Sequence, residues 1–226
     1  MERNRNGTLD AANILVGGAR IDRDSQAFGD GSLRLNGSDA WAQIGLGRTL
    51  PARVIRQDEL ELWWPLDGNF SDMSNQGRDA SVDGQVQWGD GVYGNSFTMS
   101  GDDYLFAPGF KAITGTGART LSLWIKTTSS NWMGLAYWGD NSAGKRWCVR
   151  MYRNEFRLDL NGPTRRIFTK NLHDGVWHHL ATSLPEGGGD RDNIRLFIDG
   201  QEGEFYGQWG TRDNLNTGTS SDFSIG

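Results

Sequence analysis

The chain has 226 residues and a formal net charge of -5, enough for one large domain or one domain plus part of a second. Gly contributes 32 residues, about 14% and roughly twice the usual share, while Asp outnumbers Glu 21 to 7 and Arg outnumbers Lys 19 to 4. Glu and Lys favour helices, whereas Gly and Asp favour turns, so a helical bundle is excluded. Glycine follows no three-residue period, which excludes collagen. Ten Trp and ten Phe are too many for a disordered chain. The acidic balance argues against a nucleic-acid partner. A single Cys, Cys148, excludes an internal disulfide framework and any cysteine-cluster zinc site. No run of about 18 apolar residues is present, so no membrane insertion is expected. No apolar segment follows Met1–Asn6, so no signal peptide is expected within this chain. The chain is then either intracellular or a piece of something longer.

Short alternating runs follow one another between Gly, Asp and Asn clusters. Period-2 alternation predicts strands at 32–36, 60–64, 96–100, 120–126, 147–152, 155–160, 177–182 and 194–198. Arg153-Asn154 is expected to turn a hairpin between two of them. Asn161-Gly162, Asp174-Gly175 and Asp199-Gly200 are further turn dipeptides. No segment of eleven residues carries a helical stripe. The spacing predicts an all-β, antiparallel sandwich or barrel.

An internal echo relates Phe28–Trp41 to Tyr93–Tyr104, with one residue deleted after the glycine. A repeat of 64 residues is too short for a whole sandwich. Residues 1–48 are therefore expected to be a partial repeat or the end of a preceding β domain. Residues 49–59, with Pro51 and few large apolar groups, are expected to connect them to a domain at 60–226.

Five blocks occur in order from Leu60 onward. They are Trp64-Pro65-Leu66-Asp67-Gly68-Asn69 with Ser74–Asp79, then Tyr93-Gly94 with Ser96-Phe97 and Asp102-Asp103-Tyr104. Arg119–Lys126, Asp174–Ala181 and Leu196–Gly200 follow. On these residues the chain resembles the laminin-G-like, concanavalin A-like lectin-glucanase jelly-roll domains of bacterial surface and secreted proteins. The resemblance implies a two-sheet antiparallel sandwich of jelly-roll type. The family pattern continues past Phe223-Ser224-Ile225-Gly226 into one more strand, so the domain is expected to lack its last strand. The resemblance also implies an extracellular or cell-surface setting, other domains in a longer parent chain, and a glycan or glycoprotein partner.

Candidate chemistry divides into four groups. Retaining glycosidases need two carboxylates about 5–5.5 Å apart. The nearest pairs are Glu59 with Glu61 and Glu155 with Asp159, more simply read as solvated charges. No Gly-x-Ser-x-Gly elbow is present. His178 and His179 are neighbours on a strand and point to opposite faces, which argues against a shared metal. Calcium is a candidate cofactor, implied by the resemblance. Asp67, Asp72 and Asp102 are the expected ligands, since they supply hard oxygens among glycines; turn capping is the alternative. Trp63, Trp124 and Trp177 are expected in the core. Trp132, Tyr137, Trp138, Trp147, Tyr206 and Trp209 lie in polar segments or at strand ends. Trp132, Tyr137, Trp138 and Trp147 with Arg150 are the expected glycan site. Arg146, Arg150 and Arg157 suit an acidic glycan or a protein partner instead.

The expectation is a non-enzymatic carbohydrate- or glycoprotein-binding module. The alternatives are a structural spacer without a ligand and a glycoside hydrolase.

Overall fold

A computed structural model describes residues 20–22, 32–34, 60–85, 87–162, 164–168, 171–185, 191–203 and 215–226. The chain divides into two units, Met1–Leu60 with Asp199–Gln201, and Glu61–Ile198 with Glu202–Gly226. In the first, β1 (Arg20–Asp22) pairs antiparallel with β2 (Ser32–Arg34). The connector at 49–59 and most of the first echo copy lie outside the described residues. In the second unit β4 (Gln87–Asp90) pairs with β5 (Asn95–Thr98) in the same way. Both segments of the echo thus supply the second strand of a two-stranded hairpin.

The larger unit is a two-sheet antiparallel sandwich. Its first sheet contains β3 (Ser81–Asp83), β6 (Tyr104–Phe106), β8 (Met133–Gly139), β9 (Arg146–Tyr152), β10 (Glu155–Asp159), β11 (Thr164–Phe168) and β15 (Ser221–Ile225). Their order is β11-β10-β9-β8-β15-β6-β3. The second sheet runs β14-β13-β12-β7, from Gln201–Glu202, Arg195–Ile198, Trp177–Leu184 and Arg119–Lys126 respectively. No α-helix occurs among the described residues, and none there is long and apolar enough to cross a membrane.

Strand parity explains the core. On β9, Trp147, Val149 and Met151 point inward; on β10, Phe156 and Leu158 do. They meet Leu180 and Leu184 of β12 and Leu196 of β13. Alternation leaves Arg146, Arg150 and Tyr152 on the outer face of the seven-stranded sheet, with Glu155, Arg157 and Asp159 beside them. Tyr152 pairs with Glu155, so Arg153-Asn154 forms a two-residue turn, with Arg153 at φ 51.

Two local expectations differ from the structure. Leu60–Trp64 forms no strand. Its backbone instead bonds to one loop: the Trp63 N–H donates to Asp72 Oδ1 at 3.0 Å, and the Trp63 carbonyl accepts from the Met73 N–H at 2.8 Å. Leu62 and Trp64 still pack against the core. The second difference is β8, which its sequence does not announce. Gly134 pairs with Arg150 and Ala136 with Val149. Leu135 is therefore an extra residue, a bulge that breaks the period of two.

Candidate functional site

The bulge decides which aromatic residues reach solvent. After it, Ala136 and Trp138 face the core; before it, Met133 does. The phase of alternation therefore flips within β8, and Trp132 emerges on the outer side. It stands next to Tyr152, with ring centroids 4.4 Å apart and planes 10° from parallel. Trp132 remains 53% exposed. The Arg157 guanidinium lies 4.5 Å from the Trp132 ring and 5.6 Å from that of Tyr152. Were Arg157 and Tyr152 on opposite faces of Trp132, they would be separated by nearly the sum of their distances to it. The two therefore do not sandwich the indole between them. Arg150 is 5.8 Å from the Trp132 ring and Arg153 is 5.1 Å from that of Tyr152. Such contacts between cations and rings hold guanidiniums flat, with their N–H edges outward.

Ion pairs fix the frame. Asp159 accepts from Arg146 at 2.8 Å and from Arg150 at 3.0 Å. Glu155 accepts from Arg157 through both Nε and Nη2. Tyr137 lies further along the same face. Register aligns Phe106, Ser224, Tyr137, Cys148 and Asp159 across five strands. Burial pushes the Cys148 thiol up, against the pull of the Arg150 and Arg146 guanidiniums. It is a neutral, unreactive thiol. Burial opposes the charge on Arg150, but Cys148 and Asp159 favour it, and its pKa lies above the ordinary arginine value.

Of the expected glycan residues, the structure places Trp132, Tyr137 and Arg150 on one face. Trp138 and Trp147 are a correction: they are 3% and 0% exposed. They stack on each other in the core at 5.7 Å, and Trp138 Nε1 donates to the Ile113 carbonyl at 3.0 Å. Trp63, Trp124 and Trp177 are corrected in the opposite sense. They are only half-buried and stand outside the core cluster. Trp124 lies on the outer face of the four-stranded sheet, 5.2 Å from the His179 ring. Tyr206 and Trp209 lie outside the described residues. Tyr152 joins the site although no sequence signal selected it. Its position follows from register alone, directly across from Trp132.

The expected calcium ligands do not fit such an ion. Among the described residues no three His, Cys, Asp or Glu side chains converge. Asp67 Oδ1 accepts from the Asn95 N–H at 2.7 Å and from Asn95 Nδ2 at 3.0 Å. Asp72 accepts from the N–H groups of Trp63, Ser74 and Arg78 and from the Ser74 hydroxyl. Burial opposes ionisation of Asp72, but these four donors outweigh it and lower its pKa. Asp102 is an exposed turn residue. Asp72 thus closes its own turn, as carboxylates commonly do, and Asp67 ties its loop to Asn95.

Among the described residues the expected acids do not assemble a hydrolytic pair either. Glu155 and Asp159 sit four residues apart on one straight strand, about 13 Å along the chain. Both glycosidase geometries need less. Each carboxylate is also ion-paired with arginine. Glu61 pairs with Arg78 at 2.7 Å, and Glu59 lies outside the described residues. His178 contacts Asp174 at 3.2 Å, and His179 contacts the Ser122 hydroxyl at 2.7 Å.

An all-β sandwich with a polar and aromatic outer sheet face defines the class of protein. A laminin-G-type family model, described as the concanavalin A-like lectin/glucanases superfamily, matches residues 99–226, and the chain belongs to that superfamily. Among curated proteins no sequence matches. The binding domain of botulinum neurotoxin DC, solved with rat synaptotagmin II, is similar at TM-score 0.52 and 16% identity, over 75% of this chain and 44% of that one. Domain 4 of AbnA, a GH43 extracellular arabinanase from Geobacillus stearothermophilus solved with arabinotriose, has TM-score 0.46 and 17% identity, over 70% of this chain and 78% of that one. Domains LG4-5 of the mouse laminin alpha1 chain have TM-score 0.38 and 16% identity, over 51% of this chain and 29% of that one. The chain thus spans less than a third of that laminin fragment and less than half of the toxin domain. At these identities the likeness is one of fold.

Proposed function

We propose that this chain is a non-catalytic carbohydrate- or glycoprotein-binding module of a larger secreted or cell-surface protein. The observation that carries the reading is the exposed ring of Trp132, just before β8 and beside guanidinium donors. The C–H face of a pyranose is apolar and packs on an indole through dispersion, while its hydroxyls need donors and acceptors at the rim. Arg150, Arg157, Glu155 and Asp159 supply both kinds on the same face. The superfamily contains lectins and glucanases by name. Between those two, the absence of a close carboxylate pair at this face favours binding over hydrolysis.

The test is a glycan array probed with the whole chain and with Trp132→Ala. Wild-type protein is expected to retain at least one glycan class at micromolar concentration, and the variant is expected to lose it. Failure of wild-type protein to bind any glycan at high micromolar concentration would sink the reading. Undiminished binding by the variant would move the site elsewhere. Hydrolysis of a β-glucan that disappears in Glu155→Gln would replace binding with catalysis.

A further inference from the structure

The outer face of β9 and β10 has a charge opposite to that of the molecule. It carries Arg146, Arg150, Arg153 and Arg157 against Glu155 and Asp159. The whole chain is at -5. Two arginines would balance the two carboxylates. Instead Asp159 is shared by Arg146 and Arg150, and Arg153 has no carboxylate partner among the described residues. Gathering like charges carries a repulsive cost that structure alone does not call for. No lysine occurs between Lys145 and Lys170. Every cation on this face is the planar, forked kind that matches oxyanions edge to edge.

Donor capacity remains. Arg157 spends Nε and Nη2 on Glu155, leaving Nη1. Arg150 spends Nη2 on Asp159 and Cys148, leaving Nε and Nη1. Arg153 lies over the Tyr152 ring at the exposed tip of the turn. All three border the Trp132–Tyr152 stack, within 6 Å of one ring or the other.

We infer that this face selects a sugar bearing a negative charge, a carboxylate or a sulfate. Arg150, Arg153 and Arg157 take the charge directly, with no bridging cation, while the ring stacks on Trp132. The inference rests on the sugar-binding reading above and narrows it to anionic glycans. The charged contact is made by guanidinium N–H groups, so it weakens with salt and is indifferent to chelators.

The test is affinity gel electrophoresis of the whole chain. The probes are polygalacturonate, its methyl ester, heparin and a neutral galactan, each with and without EDTA. Polygalacturonate or heparin is expected to retard the protein at least tenfold more strongly than the neutral polymers. Polygalacturonate above its ester identifies a carboxylate ligand; heparin alone identifies a sulfate. EDTA is expected to change nothing, and 300 mM NaCl to weaken retardation several-fold. Arg150→Gln with Arg157→Gln is expected to collapse the anionic preference to near unity. Arg153→Gln, at an exposed turn, is expected to lower it several-fold with an unchanged melting temperature, which separates charge loss from misfolding. Retardation by polygalacturonate no stronger than by its ester together with retardation by heparin no stronger than by neutral galactan, persistence of the preference in both variants, or its loss in EDTA would overturn the inference. Trp132-dependent binding to neutral galactan without anionic preference overturns this inference alone. No binding to any polymer overturns it together with the sugar-binding reading.

Discussion

The β8–β9 hairpin carries two stacked aromatic pairs with opposite fates. Trp138 and Trp147 stack at 5.7 Å inside the sandwich, and Trp132 and Tyr152 stack at 4.4 Å outside it. Each pair has an arginine beside it. Arg119 lies 5.0 Å over Trp147 and is 4% exposed, while Arg157 lies 4.5 Å from Trp132 on the solvent side. Ring chemistry and a nearby guanidinium therefore do not separate core from site. Parity does, and on β8 parity is reset by one extra residue, Leu135. Without that bulge Trp132 would share the phase of Trp138 and point inward. A bulge thus gives one hairpin a structural stack on one face and a platform on the other.

The largest test of this contrast is truncation of one ring from each pair. Trp147→Ala empties a fully buried site that touches both sheets. It is expected to cost about 3–5 kcal/mol. Trp132→Ala is expected to cost under about 1 kcal/mol, because just over half of the residue is already in water. Urea unfolding measures both, and comparable losses would show that the outer stack is structural as well.

The arginines offer the next contrast. Arg119 donates to the carbonyls of Ile113, Thr114, Gly115 and Gly117 and to the Thr217 hydroxyl. It has no carboxylate partner among the described residues, and burial pushes its pKa down to about 10. Arg119→Met strands several buried carbonyls and is expected to cost on the order of 3 kcal/mol. Arg157→Met removes an ion pair at the sheet surface and is expected to cost under about 1 kcal/mol. A reversed order would refute the assignment of one arginine to the fold and the other to the ligand.

A conservative swap narrows the comparison further. Trp138→Phe keeps an aromatic ring but loses the donor to the Ile113 carbonyl. The expected cost is about 1–2 kcal/mol by thermal unfolding. Trp132→Phe breaks no hydrogen bond among the described residues and is expected to stay within about 0.5 kcal/mol of wild type. Its effect should fall instead on glycan retardation, through the smaller stacking area.

Much of the sandwich is legible in the sequence, because β7, β9, β10, β12 and β13 are short apolar-rich runs bounded by turn residues. The site is legible only in part, for three physical reasons. β8 reads Met-Gly-Leu-Ala-Tyr-Trp-Gly, and Leu135 and Ala136 both turn toward the core, so no period of two survives to mark a strand. On β9, Trp147, Cys148 and Val149 are all buried although they alternate in direction. A covered outer face hides parity, and Trp147 then looks like an exposed ring. Tyr152 and Arg157 reach Trp132 only through cross-strand register, which local pattern does not contain. The turn aspartates show the converse. A cluster of acids among glycines suits calcium on paper, yet backbone N–H groups claim Asp72 before any cation can.

Asp72 also gives the contrast its smallest and most pH-dependent test. Its carboxylate holds the Trp63 N–H and the 74–78 turn. That fixes the segment from which Trp64 packs on Phe223 at 5.6 Å, and Phe223 in turn lies 5.7 Å from Trp138. The pKa of Asp72 is lower in the folded protein than its unfolded value near 3.9. Its contribution is therefore complete above about pH 4 and is lost as pH falls through the folded value. Asp72→Asn keeps the shape but weakens the acceptors, and is expected to cost about 1 kcal/mol at pH 7. The same variant should lose less further stability than wild type between roughly pH 4 and pH 2. Equilibrium unfolding at several pH values measures the slope. Parallel slopes for the two proteins would mean that other carboxylates govern the acid response. A shallower slope for the variant would tie acid stability to the turn behind the buried tryptophan pair, leaving the outer stack to the ligand.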